Sequence, residues 1–202
     1  LEEPARAQVE EILGSASDAS VEIEMAARRF GLPSVFVPDV LTEARALPDH
    51  VLKKDAGKRV DLRDIAFVTI DGEDARDFDD AVWCAPLASG GYRLLVAIAD
   101  VSWYVKPGTA LDRSAQERLT SVYFPRRVIP MLPEELSNGL CSLNPKVDRC
   151  TMVCDALIDA KGEVTAYQFY PGLINSHACL TYTQVWNALQ DKEGARDEIH
   201  EV

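Results

Sequence analysis

The sequence predicts an α+β fold in which helices flank a mixed, largely antiparallel sheet. Two stretches carry the prediction, each a pair of β-rich apolar runs around a turn. DAVWCAPLASGGYRLLVAIADVSWYV (80–105) turns at Ser89, Gly90 and Gly91, and CTMVCDALIDAKGEVTAYQFY (150–170) turns at 159–162. Helical segments punctuated by Gly and Pro stand before, between and after these hairpins. The order strands, helix, strands, helix lacks the regular alternation of a parallel βαβ sheet.

Taken in order, AQVEEILG (7–14) suits a helix by propensity and breaks at GSASDAS. Ser20 is placed to cap a helix through VEIEMAARRF, with Gly31 as its terminator and Pro33 beyond. DVLTEARAL forms a second helix between Pro38 and Pro48, and the polar stretch 48–64 is expected to be a loop or linker. IAFVTI (65–70) is a strand, and the first hairpin follows. Pro107 and Gly108 end it, and Thr109 or Asp112 caps a helix through RSAQERLTSV. VIPMLPEELSNGL is a loop with a short helix after Pro133, closed by Gly139. After the second hairpin, TYTQVWNALQ starts a helix capped by Thr181 or Thr183. There is no internal repeat and no low-complexity tract.

A chain of 202 residues, 47% of them hydrophobic, holds one sizeable domain or one domain plus a fragment. No apolar run approaches the roughly 20 residues that span a bilayer. The acidic start, LEEPARAQVEEILG, has neither a signal peptide's basic n-region nor an initiator Met, so a piece of a longer cytoplasmic protein is expected. Five cysteines without a C-x2-C pair point to reduced, buried thiols, and three isolated histidines offer no zinc spacing. The net charge of −12 speaks against nucleic acid unless the acids are concentrated and neutralised by a cation. They are concentrated, with eight of the twenty residues at 61–80 being Asp or Glu.

The densest part is TIDGEDARDFDDA (69–81), where Asp71, Asp77, Asp79 and Asp80 follow the spacing D-x5-D-x-D-D. Like charges this close repel. Without Cys or His, these are hard oxygen ligands suited to Mg²⁺ or Mn²⁺. An EF-hand starting at Asp71 fails, because Ala75 and Arg76 occupy its fifth and sixth positions. Four aspartates can hold two ions, or one ion with a carboxylate left to orient water, which is the arrangement of metal-assisted phosphodiester hydrolysis. The plain alternative is a solvated acidic turn. Phe78 inside the run and the apolar segments flanking it place the carboxylates at the lip of the core instead.

These residues are familiar together. RVDLRDIAFVTIDGEDARDFDDAVWC, YRLLVAIADVSWYVKPGTALDRSAQERLTSVYFPRRVIPMLPEELSNGLCSLNP and FYPGLINSHACLTYTQVW closely resemble the catalytic (RNB) domain of the ribonuclease II superfamily. The resemblance runs over 7–190, with the motifs in the family's order and spacing. It implies a processive 3′→5′ exoribonuclease that hydrolyses RNA to nucleoside 5′-monophosphates with Mg²⁺, for which Mn²⁺ can substitute. Asp71 and Asp80 then resemble the principal metal ligands and Asp77 a supporting one. Asp79 resembles the aspartate without which cleavage fails while RNA binding survives, through a second metal or the attacking water. Tyr123 resembles the tyrosine that stacks near the 3′-terminal nucleotides.

Arg126 and Arg127 are further candidates for phosphate contacts, against the plain reading of a solvated surface pair. Asp100 is either an outer support of the site or a strand-end aspartate. The implied organisation is the end of an OB-type cold-shock domain at 1–18, a helical and linker lead-in at 19–60, and the N-terminal part of an RNB domain at 61–202. The implied partners are single-stranded RNA and structured RNA with a 3′ overhang, no membrane, a monomeric parent protein, and association with a degradosome or the ribosome. Family members are longer, and their catalytic domain adds an Arg-rich segment after the part matched here, so the resemblance leaves part of the active site outside this sequence. All four signature aspartates are present, which separates the chain from catalytically inactive relatives that have lost one.

Overall fold

In the computed structural model, residues 7–190 except 16 and 126 are described, and they build a seven-stranded sheet and a two-stranded hairpin. Helix α1 (Ala19–Arg29) starts two residues earlier than expected: Asp18, not Ser20, is the cap, its carboxylate accepting the Ser20 N–H. Helix α2 (Pro38–Ala46) carries Pro in its first turn, where no backbone donor is lost.

The stretch 48–64 corrects the expected loop. It holds α3 (Lys53–Ala56) and β1 (Val60–Asp61), and it buries Asp55 and Leu62. Its order comes from Arg59, whose guanidinium donates to Asp100 (2.6 Å) and to the Thr151 carbonyl (2.9 Å) and lies 4.9 Å from the Trp103 ring centre. These partners stand far along the chain, so composition alone shows only a polar run.

Strand β2 (Val68–Asp71) is shorter than the run at 65–70, because Phe67 turns into the core. Strands β3 (Asp80–Pro86) and β4 (Tyr92–Ala99) form the expected hairpin, with positive φ at Gly90 and Gly91. The chain then bends into α4 (Val101–Tyr104), not a continued strand. Helix α5 (Ala110–Arg118) is capped by the Thr109 hydroxyl, and Leu119 ends it with φ 66°. Strands β5 (Val122–Phe124) and β6 (Arg127–Ile129) form the small hairpin, which the sequence did not announce. The short helix after Pro133 is a π-helix, Glu135–Leu140, with Gly139 inside it and not beyond its end. Strands β7 (Asp148–Ile158) and β8 (Val164–Asn175) form the second hairpin, followed by β9 (Ala178–Thr181). Helix α6 (Tyr182–Leu189) closes the described chain with a capping box between Thr181 and Gln184.

The sheet order is β1-β8-β7-β4-β3-β2-β9. The inner pairs are antiparallel, and β1 with β8 and β2 with β9 are parallel, giving the mixed, largely antiparallel sheet expected. One core cluster joins Leu95, Ala97 and Val153 of the sheet to Val40 of α2, Leu111 of α5 and Leu136 of the π-helix. Each of these Leu and Val side chains contributes about 1.5–3 kcal/mol by leaving water. The other face stays open. Val82, Val96, Cys154 and Phe169 stand in register across β3, β4, β7 and β8, with Cys84, Leu94, Ala156 and Tyr167 in the next row. The Tyr167 and Phe169 rings are exposed.

All five cysteines are free, but only Cys141 and Cys150 are buried; Cys84 is exposed, which corrects the expectation that all would be packed inside. Residues 7–15 form neither the helix of their propensity nor a paired strand. Val9 (78% exposed) and Ile12 (84%) have no core to join, and a strand needs an edge to pair with. The rest of the 1–18 segment includes residues outside those described, as does the end of the 61–202 segment. Among the described residues no helix is long and apolar enough to cross a membrane.

Candidate active site

Asp71 is the last residue of β2 and Asp80 the first of β3, two antiparallel neighbours, so the acidic loop 72–79 leaves the sheet and returns to it at one place. On one side, parallel β9 sets Thr181 opposite Asp71. On the other, β4 sets Ile98 opposite Asp80, and the Ala99 N–H donates to the Asp79 carbonyl at 2.8 Å. The loop is tied down twice more. The Thr183 hydroxyl on α6 donates to Glu73 at 2.6 Å, and the backbone at 76–78 is bonded to Ser142 and Leu143.

The electrostatics are those of crowded carboxylates. Partial burial, then Asp80 and Asp77, raise the Asp71 pKa above its ordinary value. Asp79 reaches solvent, yet the protein around it is dense enough that burial comes first among the causes raising its pKa, followed by Asp77, Asp80 and Asp71. No Lys or Arg is among the causes for either residue.

Tyr123 of β5 stands beside the acidic loop. Its ring is 64% exposed, and its hydroxyl donates to Asp77 at 2.5 Å. That bond, with partial burial and the Asp77 charge behind it, raises the phenol pKa to about 12. An aromatic face thus stands in solvent beside the carboxylates.

Arg127 is committed to Glu24 of α1 at 3.1 Å, so its charge is shared with a partner across the surface. Arg126 lies outside the described residues. Asp100 is a structural acid: it is buried against Arg59 and accepts from the Ser102 hydroxyl at 2.8 Å. Ser142, Arg149 and the Thr183–Glu73 pair were not legible as site residues. Their types are ordinary, and their partners are distant in sequence.

The donor set fits a hard divalent cation in part. Among the described residues no group of three or more His, Cys, Asp or Glu closes into a ready-made metal cage. Mg²⁺ does not require one, since it is usually held by one or two carboxylates with waters and substrate phosphates completing its shell. Asp71 and Asp79, whose pKa values are raised by burial and then by neighbouring carboxylates, show that the oxygen donors of this loop are crowded.

Comparison with known proteins identifies the family of the fold. The RNB domain family model matches residues 59–201, and the chain belongs to that family. It is similar to ribonuclease R of Escherichia coli K12, with 51% identity over 191 residues that make up 95% of this chain and 24% of that protein. Its structure is similar to that of Mycoplasma genitalium RNase R in complex with ribose-methylated single-stranded RNA (TM-score 0.84, 34% identity, 91% of this chain and 29% of that one). The same enzyme in complex with double-stranded RNA matches with TM-score 0.84 and 34% identity, over 91% of this chain and 33% of that one. The resemblance to the ribonuclease II superfamily is thus borne out, and the relatives matched are bacterial ribonuclease R enzymes. The chain spans about a quarter of the length of such relatives.

Proposed function

We propose that this chain is the acidic half of the active site of a processive 3′→5′ exoribonuclease that hydrolyses RNA to nucleoside 5′-monophosphates. The observation that carries the reading is the crowding of the acidic loop, where burial and neighbouring aspartates raise the pKa of Asp71 and Asp79, beside the exposed Tyr123 bonded to Asp77. Membership of the RNB family and similarity to RNase R structures holding single- and double-stranded RNA support it.

Asp71 and Asp80 would hold Mg²⁺, or Mn²⁺ in its place, with Asp77 supporting them. When bound, the ion supplies positive charge for the scissile phosphate and a more acidic water. Asp79 orients the attacking water and accepts its proton. The Tyr123 ring stacks on a base near the 3′ end, a contact worth roughly 1–3 kcal/mol and indifferent to sequence. Arg126 and Arg127 contact phosphates, Arg127 by exchanging its half-buried Glu24 partner for RNA. The partners are single-stranded RNA and structured RNA with a 3′ overhang, in the cytoplasm, with degradosome or ribosome association as a further proposal. Residues 1–18 are assigned to the end of an OB-type domain and 19–60 to the lead-in.

The test is Asp79→Asn in the full-length protein. The expected result is loss of Mg²⁺-dependent cleavage with RNA affinity within about twofold of the parent, since only the reacting water loses its partner. Cleavage at the parent rate would overturn the assignment.

A further inference from the structure

Repulsion among Asp71, Asp77, Asp79 and Asp80 would splay an unsupported loop, so something must hold it. The backbone on both sides of Asp77 is gripped by one fully buried side chain, Ser142 (0% exposed). Its hydroxyl donates to the Arg76 carbonyl at 2.9 Å and accepts the Phe78 N–H at 3.0 Å. The next residue, Leu143, donates its N–H to the Phe78 carbonyl at 2.8 Å. Asp77 lies inside this grip and Asp79 one residue beyond it.

Ser142 is in turn fixed from β7. Arg149 is only 7% exposed. Its Nε donates to the Ser142 carbonyl at 2.7 Å, Nη2 to the Gly139 carbonyl at 2.9 Å and Nη1 to its neighbour's carbonyl, that of Asp148, at 2.9 Å. Burial lowers its pKa, and no ion pair is formed with it among the described residues. A guanidinium withdrawn from water without a carboxylate is an expensive way to stabilise a fold. Its planar fork does fix the Gly139 and Ser142 carbonyls in a set geometry relative to the start of β7.

We propose that Ser142, held by Arg149, is a positioning residue of the acidic site: it fixes the backbone around Asp77 so that the aspartates keep the spacing a divalent cation needs. The proposal rests on the function read above, which assigns those aspartates to the metal. Outer supports of metal ligands have this task in general.

The experiment compares Ser142→Ala and Ser142→Cys with the full-length parent. Alanine removes both hydroxyl bonds, and cysteine keeps the size with weaker donor and acceptor strength. The readouts are Mn²⁺ affinity by electron paramagnetic resonance, amide hydrogen exchange of the 72–80 and 92–99 segments, and RNA cleavage. For alanine, the expected results are faster exchange at 72–80 alone, a loss of about tenfold in Mn²⁺ affinity, and a lower kcat at unchanged KM for RNA. Cysteine should fall between alanine and the parent. Parental exchange at 72–80 with parental Mn²⁺ affinity would overturn the proposal, as would faster exchange in both segments alike, which marks general loosening. If the parent itself cleaves no RNA, the functional reading fails, and the exchange and Mn²⁺ comparisons still decide the role of Ser142.

Discussion

Asp79 shows the site's physics in one residue. Its pKa is raised from 3.8 by burial and by three neighbouring carboxylates, and the same direction holds for Asp71. The native state therefore binds more protons than the unfolded chain in the acid range above 3.8. The sign follows: this contribution to stability is fully present below that pH and is lost as pH rises through the higher folded values. At neutral pH without metal the repulsion is fully expressed. Asp79→Asn should accordingly raise the melting temperature at pH 7 in EDTA, and the difference from the parent should shrink toward pH 4; a scan of thermal unfolding against pH checks both. Tyr123→Ala should weaken RNA binding by roughly 5- to 150-fold, the equivalent of one base stack, while Tyr123→Phe, which loses only the bond to Asp77, should bind RNA nearly as the parent does; filter binding measures the pair. The four aspartates and Tyr123 were legible in the sequence because their spacing and motif are local. Ser142 was not, since its bonds to Phe78 and Arg76 span 64 and 66 positions.

The elements that sequence pattern located are those whose information is also local. Both long hairpins announce themselves by paired apolar runs and turn residues, and α5 and α6 by Thr109 and Thr181 at their caps. The short strands β1 and β9 escaped notice because each pairs in parallel with a distant strand and has too few residues to show alternation. Helix α4 was hidden in an apolar run that continues the strand pattern of β4. The β3–β4 turn gives an element-scale prediction. Gly91 has φ +84°, and an added Cβ would fall onto the Ile158 carbonyl and Asp159 of the neighbouring turn. Gly90 has φ +86°, but its nearest neighbour would stand at an ordinary 3.5 Å. Gly91→Ala should cost about 1–3 kcal/mol, and clearly more than Gly90→Ala, in chemical denaturation.

At the scale of the molecule, the acidic balance and the open sheet face belong together. The charge of −12 sits in a chain that spans about a quarter of its relatives, and that face presents Tyr167 and Phe169 in register with Cys154 and Ala156. Exposed apolar patches of this kind mark surfaces made for contact. Studied alone, the chain should bind an apolar fluorescent dye, and the double substitution Tyr167→Ser, Phe169→Ser should reduce the signal without loss of β-structure by circular dichroism. The central claim concerns the acidic loop and is tested most directly by digestion of 5′-labelled single-stranded RNA with the full-length protein, in Mg²⁺ or EDTA, with product lengths read on a gel. A ladder descending to one short oligonucleotide, in Mg²⁺ only, is the expected result. Internal cuts, shortening in EDTA, or intact RNA under both conditions would contradict it.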